Sequence, residues 1–194
     1  MPKQVDHRAR RTLIADALFR VAAEQGLEAV SLRHVAAAAE VSTGMVQHYF
    51  RTKDEMMTFA MAVVQERQQA RITERIGRLG ADPGPRSLLR TLLTGVLPLD
   101  DESRAYGRVA LAFLAYTAVR VEAAAPLREQ TRELLGFVAG LIRAGGGALD
   151  PDVAAAGLLA AMEGLGVYLL GGHFTPELAV RALDAHLDMI FTPA

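Results

Sequence analysis

The chain contains no cysteine and no tryptophan. Without cysteine, disulfides and thiolate metal ligands are excluded. Without tryptophan, and with only 4 tyrosines, no aromatic cage for a quaternary ammonium group stands out. There is also no clean apolar run of membrane-spanning length. The longest lies between Asp152 and His173, is interrupted by Glu163 and is rich in Ala and Gly, which suits close helix packing better than a span. The basic start "MPKQVDHRARRTL" is followed by no apolar stretch with a small-residue cleavage site. A soluble, cytoplasmic protein with no membrane partner is therefore expected. Metal-ligand spacings and nucleophile–base pairs are missing, and "AGGGALDP" lacks the lysine of a phosphate loop. No enzyme, metal or cofactor is expected.

What the chain does have is apolar side chains, 51% of 194 residues against 22% charged. That composition marks a globular protein long enough to bury a core. Helical periodicity dominates and no convincing strand appears. Leu13, Ala17, Leu18, Val21 and Ala22 form a stripe on a first helix, and Gly26 stands where a helix ends. Ser31 is an N-cap candidate for a second, short helix with Leu32, Val35, Ala36 and Ala39 as its apolar face. "EVST" reads as a turn, Thr43 to Phe50 as a third helix, and Asp54 towards Ile76 as a long fourth one.

"GADPGPRS" (80–87) is the clearest breaker. Beyond it the pattern predicts helices over Leu88–Val96, Asp101–Glu122, Pro126–Ala144, Pro151–Leu170 and Pro176–Phe191. Pro126, Pro151 and Pro176 sit in first turns, where proline is tolerated, and Glu129, Asp152 and Glu177 suit the dipole there. The expectation is an all-α chain of about nine helices. A three-helix head over residues 1–53 would join a larger helical body over 54–194.

Charge is uneven. Up to Lys53 there are 8 cations and 5 anions, or +3, so with a total of −1 the remainder carries −4. A basic head on an acidic body suits a DNA-binding unit, although an ordinary solvated surface can show a bias of this size. A short helix, a turn and a second short helix form the helix-turn-helix plan, whose second helix enters the major groove. "VSTGMVQHYFRTK" (41–53) fits that role. Gly44 permits close backbone approach, and Thr43, Gln47 and His48 carry hydrogen-bonding groups. Gln47 suits adenine and Arg33 suits guanine, while Tyr49 and Lys53 suit phosphate. Val46 and Phe50 would face inward. Ser31 and Ser42 read equally as helix caps or phosphate contacts, and Tyr49 can instead pack on the first helix.

"SLRHVAAAAEVSTGMVQHYFRTKDEM" resembles the DNA-binding domain of the TetR family of bacterial transcriptional regulators over about Arg10 to Phe59. The resemblance implies that Arg33, Thr43, Gly44 and Gln47 approach bases, and that Ser31, Ser42, His48, Tyr49 and Lys53 contact phosphate. Gln47 departs from the family pattern, which often has Tyr there, so the operator is not carried over. "YGRVALAFLAYTA" and "FTPELAVRALDAHLDMIF" look most like the BetI-like branch. The family implies a homodimer on double-stranded operator DNA, joined through the last two helices, and an unidentified small-molecule effector bound in the body. Ala155, Leu158, Leu159, Met162, Gly166 and Leu169, with Leu178, Leu183, Leu187 and Ile190, offer more apolar helix than one core needs, which agrees with a partner.

Candidate effector-lining residues are Phe59, Tyr106, Phe113, Tyr116, Phe137, Met162 and Glu163, although for any one aromatic or Met plain core packing is the better reading. Glu163 lies amid Ala, Leu, Met and Gly and needs compensation if buried. A cationic or polar effector can supply it, but an internal pair with an Arg such as Arg104, Arg108 or Arg120 is the favoured reading. The expected function is a homodimeric, ligand-released repressor. The alternatives are an activator, or a helical ligand-binding protein that no longer binds DNA.

Overall fold

The structure, a computed structural model, describes residues 2–119 and 125–192. Among them every regular element is helical, with nine α-helices and a short 3-10 turn. Two compact units form, Met1–Arg67 with Arg108–Val119, and Gln68–Gly107 with Arg120–Ala194.

The first unit begins with α1 (Pro2–Gln25). Ala17, Leu18, Val21 and Ala22 are buried as their spacing predicts. Leu13 is not: it is 41% exposed, and Ile14 takes the inward position at 1%. The stripe is shifted by one residue at that end because α1 buries an Ile14–Ala15 edge. Gly26 ends α1 with φ 84° and ψ 165°, a conformation open essentially to glycine alone. The 3-10 turn Leu27–Ala29 leads to α2 (Leu32–Ala38), the turn at 39–42 and α3 (Thr43–Tyr49). α4 (Lys53–Gly77) contributes its residues up to Arg67, and α6 (Asp101–Ala118) its residues from Arg108. Ile14, Leu18, Val35, Val46, Phe50, Met56 and Met57 form the centre of this core, with Val109 of α6. The last residues of the helix expected to reach Glu122, together with Arg120, lie outside the described residues.

The second unit contains α5 (Pro85–Val96), α7 (Ala125–Gly145), α8 (Pro151–Leu170) and α9 (Pro176–Phe191). α5 starts at Pro85, so the breaker "GADPGPRS" is partly a helix start, with proline in the first turn. Asp150 caps α8 by accepting from Asp152 N–H and Val153 N–H, both at 3.0 Å. Thr175 caps α9 by accepting from Leu178 N–H at 3.3 Å. α8 is long and apolar enough to cross a membrane by length and composition. Here it is a core helix of its unit, packed against α7 and α9. Ala155, Leu158, Met162 and Leu169 on α8, and Leu183, Leu187 and Ile190 on α9, are all buried within the chain. Most of the faces expected to be surplus are therefore the chain's own core, covered by α7 and α5, whereas Leu159 and Gly166 are half-buried and Leu178 is exposed. Further uncovered apolar surface on α8 and α9 includes Val153, Val167, Tyr168 and Met189.

Candidate DNA interface

The helix-turn-helix is built from local hydrogen bonds. Ser31 Oγ accepts from His34 N–H at 3.2 Å and caps α2. Ser42 Oγ accepts from Met45 N–H at 3.1 Å and caps α3. The serines are thus helix caps, a role that leaves their oxygens near the surface. Between them Glu40 takes φ 56°, and Val41 N–H closes the turn on Ala36 O at 3.0 Å. Arg20, on α1, reaches Ala38 O at 2.6 Å, satisfying a carbonyl at the end of α2.

On α3, Val46 and the C-capping Phe50 are 0% exposed. Thr43, Gly44, Gln47 and His48 are exposed on the other side. Two buried apolar anchors four residues apart hold the short helix against the core, so its polar side is turned out as a rigid surface. Arg33, on α2, is exposed and makes no hydrogen bond or ion pair among the described residues.

Two expected phosphate ligands are more engaged than their sequence suggests. Tyr49 is half-buried, with its ring edge-on to His7 at 4.8 Å and to His48 at 5.1 Å. Lys53 is half-buried and donates from Nζ to Leu27 O at 3.0 Å, which ties the start of α4 to the 3-10 turn. Sequence reasoning passed over Arg51. Its backbone N–H donates to Glu55 Oε2 at 2.9 Å, while its guanidinium is exposed and unpaired among the described residues. The signal for it was its position directly after α3.

The effector candidates fall into the two units. In the first, Phe59 packs 4.3 Å from the Arg11 guanidinium and 5.5 Å from Phe50, half-buried against the unit's core. Arg11 lies over Phe50 as well, at 4.8 Å, so one cation sits between two aromatic faces. Phe113 and Tyr116 stack at 6.5 Å on α6, and Tyr116 Oη donates to Asp54 Oδ1 at 2.6 Å. In the second, Tyr106 and Met162 are buried, while Phe137 is 53% exposed. Tyr106 Oη is bonded to Glu102 at 3.2 Å. Glu163 lies on the exposed side of α8, and no hydrogen bond or ion pair reaches it among the described residues. Arg104, in the same unit, does not make that pair, and its Nε is buried without a partner among the described residues; Arg120 lies outside those residues. Loss of hydration among apolar neighbours raises the Glu163 carboxyl above its ordinary pKa.

Residues 14–58 match the family description "Bacterial regulatory proteins, tetR family". Residues 85–192 match "BetI-type transcriptional repressor, C-terminal". The chain belongs to the TetR family. Among its relatives is the transcriptional regulator BetI of Burkholderia ambifaria (strain MC40-6), 31% identical over 98% of each chain. The regulator PksA of Bacillus subtilis (strain 168) is 40% identical over 117 residues, which take in 60% of this chain and 55% of PksA. A crystal structure of a transcriptional regulator from Rhodococcus sp. Rha1 superposes with a TM-score of 0.83 at 35% identity, covering 93% of this chain and 95% of that one. As a TetR-family regulator, the chain carries its DNA-binding helix-turn-helix at the N-terminus and a BetI-type domain after it.

Proposed function

We propose that the protein is a cytoplasmic, homodimeric repressor without enzymatic activity, released from a palindromic operator by a small-molecule effector. The observation that carries the reading is α3. Its inner side is pinned by Val46 and Phe50, and its outer side presents Thr43, Gly44, Gln47 and His48. Each head, residues 1–53, would set that side in a major groove, with Arg33 and Gln47 reading base edges. Ser31, Ser42, Tyr49 and Lys53 would lie along the phosphates, joined by Arg51. Residues 54–194 would bind the effector and the second copy.

Within the first unit α1 of the head is tied to α4 by Arg67 to Asp16 at 2.7 Å, and the start of α4 is tied to α6 by Tyr116 to Asp54 at 2.6 Å. α4 and α6 both run on into the second unit along the chain. An effector that prefers one arrangement of these helices shifts the population of heads able to bind DNA. Phe113, Tyr116, Tyr106 and Met162 are the candidates to replace singly in ligand titrations.

The test is fluorescence anisotropy on DNA flanking the protein's own gene, run at several salt concentrations. Saturable, sequence-specific binding that weakens steeply with salt is the expected result. Binding no tighter than to random DNA would favour a ligand-binding protein that has lost its operator. A reporter driven from the bound site separates repression from activation.

A further inference from the structure

α8 and α9 are joined by residues 171–175, and each carries an outward apolar stripe. On α8 the exposed positions Val153, Ala156, Gly157, Ala160, Val167 and Tyr168 recur at helical spacing. On α9 the corresponding set is Leu178, Ala185 and Met189. Each stripe contains one charged residue in line with its apolar members. Glu163 stands three residues after Ala160 and four before Val167, and Arg181 stands three after Leu178 and four before Ala185. Both are exposed, and neither makes a hydrogen bond or ion pair among the described residues. Arg181 only weakly lowers the carboxyl of Glu177, one turn away.

We infer that in the homodimer Glu163 of each protomer pairs with the partner's Arg181, so that two symmetric ion pairs register the α8–α9 face. The inference rests on the dimer reading above and names the contact that would align it. Glu163 lies seven residues before Leu170, the last residue of α8, and Arg181 five residues after Pro176, the first of α9. At about 1.5 Å per residue these are roughly 10 Å and 8 Å from the connecting end, the same level to within one turn. A twofold axis running along the two helices preserves that level and brings α8 of one copy beside α9 of the other. Opposite charges then meet on a face otherwise made of apolar and small side chains. Unpaired there, Glu163 already suffers loss of hydration in the single chain. Closing a second copy over it without a cation would raise that cost. The small residues Ala156, Gly157 and Ala160 let the helices approach closely enough for the long Arg side chain to span the gap.

The experiment measures the dimer dissociation constant of the full chain by sedimentation velocity, with circular dichroism confirming that each variant is folded. Glu163→Arg and Arg181→Glu, which place like charges opposite one another, should each weaken the dimer by about tenfold or more. The double variant Glu163→Arg with Arg181→Glu should return to within about threefold of the original protein. Glu163→Gln, the mildest change, should weaken it by less than either reversal. Unchanged dissociation constants in the single variants, or additive losses in the double one, would overturn the pairing while the dimer stands. A parent protein that stays monomeric at every concentration would remove the dimer reading itself, and the pairing with it.

Discussion

Glu40 holds φ 56° in the turn between α2 and α3, a left-handed conformation that costs a residue with a Cβ on the order of 1 kcal/mol. Glu40→Gly removes that strain but frees the unfolded chain. The expected outcome is a small net gain, about 0.5 kcal/mol, seen as a higher urea midpoint with an unchanged slope. Lys53 shows how a residue's role shifts with its surroundings. Its Nζ is bonded to Leu27 O at 3.0 Å, so Lys53→Ala should lower stability by about 1 kcal/mol besides weakening DNA binding. Arg51, whose guanidinium has no partner among the described residues, should weaken DNA binding on replacement by Ala while leaving the melting temperature unchanged. Measuring both quantities on both variants separates the structural cation from the one available to phosphate.

At the scale of helices, α5 and α9 are joined by two rungs of charge. Arg86 binds Asp188 at 2.6 Å and Arg90 binds Asp184 at 2.6 Å. Each helix supplies its residues four apart, so two antiparallel helices meet their charges in step. The hydrogen bond from Arg90 holds the Asp184 carboxyl below its ordinary value of 3.8, and Asp184 in turn raises Arg90. A lowered folded-state pKa means that the unfolded chain takes up the proton first. The pair's stabilisation is therefore intact at neutral pH, and it is lost as pH falls from the ordinary value of 3.8 through the lower folded value. Asp184→Asn should cost roughly 0.5–1 kcal/mol at pH 7, given its partial exposure. It should also flatten the acid limb of a stability-versus-pH curve measured by urea unfolding. Within the first unit, Tyr116→Phe removes the bond to Asp54 and loosens α6 from the start of α4. If that bond carries the effector signal, ligand affinity should stay nearly constant while the ligand's effect on DNA affinity shrinks.

For the whole molecule the governing quantity is charge. The first 53 residues carry +3 and the remainder −4, so binding to DNA should be localised to the head and strongly salt-dependent. The logarithm of affinity should fall with the logarithm of salt by about 0.9 for each phosphate neutralised. Arg51→Ala should reduce that slope by about 2 in a dimer, one phosphate per head. Under the proposed docking Gln47 would face a base edge and no phosphate, so Gln47→Ala should leave the slope alone and relax preference at one base position by roughly 1–3 kcal/mol. A slope unchanged in the first variant would place Arg51 away from the backbone.

The helices and the site were legible wherever the cause was local. Pro151 and Pro176, with caps from Asp150 and Thr175, bounded α8 and α9 at the expected residues, because a cap bond spans only two or three residues of sequence. Ser31, Ser42, Val46 and Phe50 were readable for the same reason, as caps and one helical face. What sequence left open came from partners far along the chain. Lys53 meets Leu27 across 26 residues and Arg90 meets Asp184 across 94. Helical periodicity identifies an apolar face but not what covers it, and α8 is apolar nearly all round. Only the packing of α7 and α9 decided that Leu158 and Met162 turn inward and that Glu163 faces out. The sequence by itself determined the family, the helices and which side of α3 is turned out, through short-range hydrogen bonds and periodicity. The tertiary structure decided which cations are already engaged and which apolar surface is left over, since both depend on contacts between helices remote in sequence.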